Sequence, residues 1–238
     1  VFLDLDGTLA PIAARPDMVG PDPRRNALLG ELSRALDGRV AIISGRAILE
    51  VDRILDGCVA CVAGLHGLER RGPGGGVQTA EVHSGLAAAL PAARAFAADY
   101  PAMLVEDKKL AIALHYREAP ETAAQAVDFA RRLAWMTGLK LQEGQMVVEL
   151  RSPGDDKGDM VRAFMAEDPF KGHRPLFIGD DLTDEDGFAA AAKLDGYGVL
   201  VGSPRQSLAT GRLPDVDAVL DWLQDAIETG GFRLPAFQ

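Results

Sequence analysis

The chain has 238 residues, of which 47% are hydrophobic and 25% charged, so it can build a sizeable core in one or two domains of an ordinary globular protein. Its formal net charge of -10 argues against a general nucleic-acid binder, which needs a basic face, though a few local cations can still override that sign at a site. No apolar run reaches the roughly 18 residues that span a membrane, and no basic-then-apolar leader is present.

In chain order, Val1, Phe2, Leu3 and Leu5 suit a short strand buried on both faces of a parallel sheet. Val1 already lies inside that strand, an opening that leaves room for residues upstream. The run ends abruptly in Asp4, Asp6, Gly7 and Thr8. Carboxylates at i and i+2 on a strand point the same way, so Asp4 and Asp6 are expected to meet at its carboxyl end. Gly7 permits a sharp turn whose N–H groups can cradle an anion. Asp-Gly by itself is a turn signal. Delivered by an apolar strand as Asp-x-Asp-Gly-Thr it reads as a catalytic site, because like charges held close need a cation or proton between them.

A loop from Pro11 to Pro23 precedes a helical pattern from Arg24 to Leu36, marked by Leu28, Leu29 and Leu32. Val40 to Ile43 is a second buried strand ending in Ser44-Gly45-Arg46. A helix with Ile48, Val51, Ile54 and Leu55 leads into a third strand from Cys58 to Ala63. This alternation implies a parallel sheet with right-handed crossovers. The spacing of Cys58 and Cys61 invites a metal or redox reading, but with no second ligand pair they read as buried structural thiols in a reducing cytoplasm.

The turn-rich stretch from Arg70 to Gly76 reads as the linker out of this first segment. Beyond it come an Ala-rich helix from Val82 to Ala98 and short strands over Met103–Glu106 and Leu110–Tyr116. A second helix from Pro120 to Met136 is followed by strands over Lys140–Gln142 and Met146–Leu150, turning at Glu143-Gly144. That αββαββ order describes a small α+β module, residues 80–152, inserted between core segments 1–79 and 153–238. The second core segment holds a helix from Asp155 to Glu167 with Lys157-Gly158 in its first turn. Then come a strand from Pro175 to Gly179 ending in Asp180-Asp181, a helix from Phe188 to Lys193, a strand from Tyr197 to Val201 and a last helix from Val216 to Glu228. The fold class is α/β: a Rossmann-like doubly wound parallel sheet with an inserted α+β cap.

Asp4/Asp6, Ser44, Lys157 and Asp180/Asp181/Asp184 all fall at expected strand or helix ends, which a doubly wound sheet gathers at one edge. Singly, each has a plain structural reading. Ser44 can cap a helix, Lys157 can be a solvated surface residue, and the acids after Gly179 complement a helix dipole. Together they make an oxygen-only pocket of the kind Mg²⁺ prefers, with a hydroxyl and an ammonium for a transferring phosphoryl group. In this order they resemble the haloacid dehalogenase (HAD) superfamily of aspartyl phosphotransferases. The resemblance implies that Asp4 attacks phosphorus and that Asp6 protonates the leaving oxygen and then activates water. It implies Mg²⁺ held by Asp4, the Asp6 carbonyl, Asp180 and, through a water, Asp184, with Ser44 and Lys157 on the phosphate oxygens. An anionic nucleophile meeting a phosphate dianion faces about 4 kcal/mol of repulsion per charge pair near 4 Å at an effective dielectric of 20, so cations are required.

A narrower resemblance, to the trehalose-6-phosphate phosphatases, rests on Ser44-Gly-Arg46, Gly64-Leu-His-Gly-Leu-Glu69, Glu106-x-Lys108 and Ala111-x-x-x-His115-Tyr-Arg117. Glu149-Leu-Arg151, Lys157-Gly158 and Gly179-Asp-Asp-Leu-Thr-Asp-Glu185 complete it. Arg151-Ser-Pro153 departs from the usual Arg-Pro step. This resemblance implies that Arg46, Glu106, Lys108, Arg117 and Glu149 bind the sugar phosphate, with His66 close by. It implies an Mg²⁺-dependent enzyme with a small-molecule sugar phosphate as substrate; a cytoplasmic setting, no nucleic-acid or membrane partner and a monomer are the accompanying expectations. Two alternatives stay open. A phosphatase for another sugar phosphate, such as sucrose-phosphate, would differ at Glu106, Lys108 and Glu149. A non-catalytic receiver-type module also gathers acids and a lysine at a sheet edge, but Asp6 and residues 80–152 count against it.

Overall fold

In a computed structural model that describes residues 1–237, the chain begins β1 (Phe2–Leu3), α1 (Pro23–Ala35), β2 (Ala41–Ile43), α2 (Ile48–Leu55) and β3 (Cys61–Gly64). A hairpin of β4 (Glu69–Arg71) and β5 (Val77–Thr79) follows. The insert contributes α3 (Gly85–Ala97), β6 (Leu104–Asp107), β7 (Ala111–His115), α4 (Ala123–Thr137), β8 (Lys140–Gly144) and β9 (Val147–Arg151). The chain then runs α5 (Lys157–Met165), β10 (Leu176–Gly179), α6 (Glu185–Lys193), β11 (Tyr197–Val201), β12 (Gly211–Leu213) and α7 (Val216–Thr229). It divides into two compact units, Val1–Gln78 with Asp155–Gln238, and Thr79–Gly154. No helix among the described residues is long and apolar enough to cross a membrane.

The first unit carries an eight-stranded sheet in the order β12-β11-β10-β1-β2-β3-β4-β5. The pairs from β12 to β3 are parallel and β4 runs antiparallel to β3. β1 is short but central, with Phe2 opposite Phe177 and Ala41 on its two sides. Successive side chains face opposite layers. Leu3, Ile42, Ile178 and Val199 pack with Leu29, Ile54 and Leu223 from α1, α2 and α7. Phe2, Ile43, Phe177 and Leu200 pack with Phe164 and Phe188 from α5 and α6, and the Phe2 and Phe170 rings stack at 5.4 Å.

Four expectations are corrected here. The strand read over Val1 to Leu5 contracts to Phe2–Leu3, because the Leu5 carbonyl turns to accept from Leu9 and Ala10 at 2.9 Å. Asp4 and Asp6 are therefore set by a turn and not by strand alternation. The expected linker holds the β4–β5 hairpin, which extends the sheet. Its charge hid it, since Arg71 lies two-pronged on Asp52 at 2.7 Å, and buried Arg70 stacks 4.6 Å over the Phe164 ring while reaching Glu167. In the insert the hairpin turns at Gln145-Met146, with Met146 at φ 63, and Glu143-Gly144 stay within β8. Cys58 falls outside β3 and is half-buried, while Cys61 inside it is buried; both thiols are free.

The second unit is an antiparallel sheet in the order β6-β7-β9-β8 with two faces of different character. Ile112, Leu114, Val148 and Leu150 bury one face against Leu86, Ala89, Ala130 and Leu133 of α3 and α4. The register sets Glu106, Ala113, Glu149 and Gln142 in one row across the sheet, with side chains on the other face.

In the first unit, α5 starts at Asp156, whose carboxylate accepts the Asp159 N–H at 2.9 Å in a reciprocal capping box. It packs tightly on α6, since a Cβ at Gly158 would lie 2.5 Å from the Asp186 carbonyl oxygen. Gly158→Ala should therefore pry the helices apart and lower stability by about 1–3 kcal/mol, read as a lower urea midpoint. An unchanged midpoint would show that α5 can slide without loss.

Candidate active site

Asp4 leaves β1 at the carboxyl edge of the sheet, its N–H still bonded to the Ile178 carbonyl at 2.9 Å, and its side chain is buried. Gly7 then takes φ +84, and a Cβ there would sit 2.1 Å from Asp180 Oδ2. Only glycine lets this turn lie against the end of β10. Thr8 Oγ1 donates to Asp180 Oδ1 at 3.4 Å. Beyond Gly179, the Asp180 and Asp181 N–H groups both donate to Asp184 Oδ2 at 3.0 Å, folding the chain back so that Asp184 is fully buried.

Lys157, the first residue of α5, enters this edge from the other side. Its buried Nζ donates to Asp4 Oδ1 at 2.8 Å and Asp184 Oδ1 at 2.7 Å. Burial works against its charge, but Asp184 and Asp4 outweigh that and raise its pKa above the ordinary lysine range. Carboxylate oxygens of Asp4, Asp180 and Asp184 lie within 4.8 Å of one another. Burial, helped by the neighbouring acids and opposed by Lys157, pushes Asp4 well above the usual carboxylate range. Burial and the Asp184 charge raise Asp180 to about 7. A single ammonium does not balance this cluster, and hard oxygen donors with surplus negative charge fit a divalent cation.

Ser44 is buried at the end of β2, one strand over from β1. Its hydroxyl accepts the Arg46 N–H at 3.2 Å, so it does not cap α2; Glu69 does, accepting the Ile48 N–H at 3.0 Å. His66 docks on this loop. Its N–H donates to the Ser44 carbonyl at 2.9 Å, and a Cβ on Gly45 would lie 2.6 Å from His66 Nε2. Arg46 reaches the partly exposed Asp6 with Nε and Nη2, each at 2.7 Å, and the Pro16 carbonyl with Nη1 at 2.9 Å. The structure thus joins Arg46 to the carboxylate two residues after Asp4.

Within the insert, Lys108 Nζ donates to Glu149 Oε1 at 2.5 Å, both side chains nearly buried, and Glu106 meets His115 Nε2 at 2.8 Å. Burial pushes Glu106 up, but the His115 hydrogen bond and the Lys108 charge prevail and hold it below the usual carboxylate range. Arg117 donates to the Gln145 carbonyl at 2.8 Å, at the β8–β9 turn. Sequence reasoning passed over His115 and the fully buried Arg151 as site residues although both lie in quoted motifs. It also passed over Arg205, which no motif marks. Arg205 donates to the Asp181 carbonyl at 2.9 Å and pairs with Glu185.

A parallel sheet whose central strand ends in a buried aspartate, with a lysine and two further aspartates at the same edge, defines an aspartate-based phosphotransferase of the HAD type. Consistent with this, the fold superposes on a Bacteroides thetaiotaomicron HAD-superfamily phosphatase, BT1666, with a TM-score of 0.62 at 19% identity over 96% of this chain and 94% of that one. The Candida albicans trehalose-6-phosphate phosphatase C-terminal domain fits at a TM-score of 0.84 and 22% identity, covering 95% and 91%. In sequence, the chain is 40% identical over 228 residues to the Escherichia coli trehalose-6-phosphate phosphatase, covering 94% of this chain and 84% of that protein. Residues 2–214 match the trehalose-phosphatase family, and the chain belongs to it.

Replacing Lys157 tests the balance at this edge. Lys157→Met leaves Asp4 and Asp184 buried without their cation, a loss of about 3–5 kcal/mol expected for the metal-free protein in urea denaturation. Added Mg²⁺ should recover part of it. A variant as stable as the parent in chelator would show that the carboxylates do not depend on the ammonium.

Proposed function

We propose that this protein hydrolyses trehalose 6-phosphate to trehalose and phosphate through an aspartyl-phosphate on Asp4, with Mg²⁺ as its metal. The observation that carries the reading is the buried Lys157 bridge to Asp4 and Asp184 at the sheet edge of a trehalose-phosphatase family member. The free thiols Cys58 and Cys61 suit a cytoplasmic setting.

Lys157 occupies Asp4 Oδ1, which leaves Oδ2 as the attacking oxygen. Asp4 Oδ2 forms a bond to phosphorus as the bond from phosphorus to the sugar oxygen breaks, and Asp6 gives that oxygen its proton. Asp6, now a carboxylate, takes a proton from the water that attacks the same phosphorus, and phosphate leaves as Asp4 is restored. Ser44 and Lys157 hold phosphoryl oxygens. Asp4, the Asp6 main chain, Asp180 and Asp184 would hold Mg²⁺, which when bound supplies positive charge to the phosphoryl oxygens. Arg46 and His66 serve the phosphate end of the substrate. Glu106, Lys108 and Glu149, with Arg117, serve the sugar, because carboxylates accept from hydroxyls while lysine and arginine donate to oxygens.

A phosphate-release panel of sugar phosphates, with and without Mg²⁺, tests the assignment. Trehalose 6-phosphate should be turned over best and only with the metal. Full activity in chelator, or preference for sucrose-phosphate, would reject it. Asp6→Asn should lower kcat/KM, which reports formation of the aspartyl-phosphate, by about 10²–10⁴-fold on trehalose 6-phosphate and much less on an activated aryl phosphate, whose leaving group needs no proton. Equal losses on both substrates would remove the acid role from Asp6.

Sugar reading by the insert has its own signature. Glu106→Ala, Lys108→Ala and Glu149→Ala should each lower kcat/KM for trehalose 6-phosphate by the equivalent of about 1–3 kcal/mol, since each leaves polar partners unpaired. An aryl phosphate without a sugar should be nearly indifferent to all of them. A matched loss on both substrates would make the insert a support and not a selector.

A further inference from the structure

The loop that carries Asp180 is gripped on both sides of its backbone. Its N–H groups at Asp180 and Asp181 go to Asp184 Oδ2 at 3.0 Å. Its carbonyls face Arg205, whose Nη2 donates to the Asp181 oxygen at 2.9 Å and lies 3.5 Å from that of Asp180. Arg205 is held in turn. Its Nη1 pairs with Glu185 Oε1 in the first turn of α6 and reaches the Gln206 carbonyl at 3.1 Å, and Glu185 Oε2 accepts the Leu208 N–H at 2.8 Å. The guanidinium therefore ties the segment after β11 to the loop after β10, on which Asp180 sits.

We propose that Arg205 is a positioning residue for the metal site, fixing the Asp180–Asp181 backbone so that the Asp180 carboxylate is presented to a divalent cation. The proposal rests on the reading that Asp4, Asp180 and Asp184 hold such a cation. A guanidinium suits the task because its donors fork at fixed angles and can grip carbonyls and a carboxylate at once. Groups that orient metal ligands typically control metal affinity by 10–100-fold.

The sign of the effect separates positioning from charge. As a cation close to the site, Arg205 repels a metal ion, so a purely electrostatic role predicts tighter metal binding once it is removed. A positioning role predicts weaker binding. Neither outcome needs a substrate, so the readout is Mn²⁺ binding, followed by the electron paramagnetic resonance of the free ion in a titration of the whole chain.

Arg205→Gln is expected to raise the Mn²⁺ Kd about 10–100-fold. Arg205→Lys, which keeps the charge and loses the fork, should weaken binding in the same direction. Glu185→Gln also removes an anion near the site and so weakens binding on either reading; the decision rests on the two Arg205 variants. Folded Arg205→Gln that binds Mn²⁺ as tightly as the parent, or more tightly, would overturn the proposal. If Arg205→Gln fails to fold, Arg205→Lys, which keeps the charge, decides by the same titration, and parental affinity overturns the proposal. A parent chain that takes up no Mn²⁺ would instead sink the metal reading itself, and this inference with it.

Discussion

The Lys157 ammonium lies 2.8 Å from Asp4 and 2.7 Å from Asp184, with 3% of its side chain exposed, so its charge survives burial only through these partners. Removing an ion from water costs several kcal/mol. Each carboxylate near 4 Å returns about 4 kcal/mol at an effective dielectric of 20, and less if either charge is lost. The balance closes when both acids are present. That condition couples residues separated by 153 positions, and it fixes the end of β1, the start of α5 and the turn after β10 together. The tight contact at Gly158 and the capping box at Asp156 serve the same end, because they set where the first residue of α5 stands.

Asp6 obeys a different constraint. It is partly exposed and accepts from Arg46 on both carboxylate oxygens at 2.7 Å. In that arrangement both oxygens act as acceptors, which suits a base that activates water. Donating a proton to a leaving group requires Asp6 to turn at least one oxygen away from the guanidinium. This arrangement fits the water-activating half of the role proposed for Asp6, while Asp4 is held in place by Lys157. The two carboxylates differ because Asp4 is buried beside the Lys157 ammonium and two further acids, whereas Asp6 sits at the rim.

Much of this was legible in the sequence where apolar pattern and special residues coincide. Leu3, Ile42, Ile178 and Val199 announce buried parallel strands, and acids or lysine just past such strands announce a ligand edge. β4 and β5 were illegible for a physical reason. Arg70 and Arg71 are held by charge and stacking and Glu69 by the Ile48 N–H, without apolar alternation, and Val77 to Thr79 are exposed. The hairpin turn was misplaced because glycine is the default turn residue, yet Gly144 stays in the strand and Met146 takes the positive φ. Arg205 follows a Gly-Ser-Pro loop signal and acts through main-chain carbonyls, a role that leaves no mark in a motif. Cap residues such as Glu106 and Lys108 look like an exposed strand of mixed charge, and only the family resemblance singled them out.

Structure adds to those cap residues a reason for their order. The insert's sheet is amphipathic in an unusual sense: its apolar face is covered by α3 and α4, and its other face carries Glu106, Ala113, Glu149 and Gln142 in one row. Small Ala113 between the two glutamates leaves their carboxylates room. Lys108 neutralises Glu149 and His115 engages Glu106, so the charges are held in place before any ligand arrives. Groups ordered in advance lose little side-chain entropy on binding, a saving that would favour the hydroxyl-rich sugar proposed for this face over water. The same pairing limits what each residue can gain. A hydroxyl binding there would have to exchange with an existing ion pair, so on the proposed reading discrimination rests on geometry across the row and not on the strength of any one hydrogen bond.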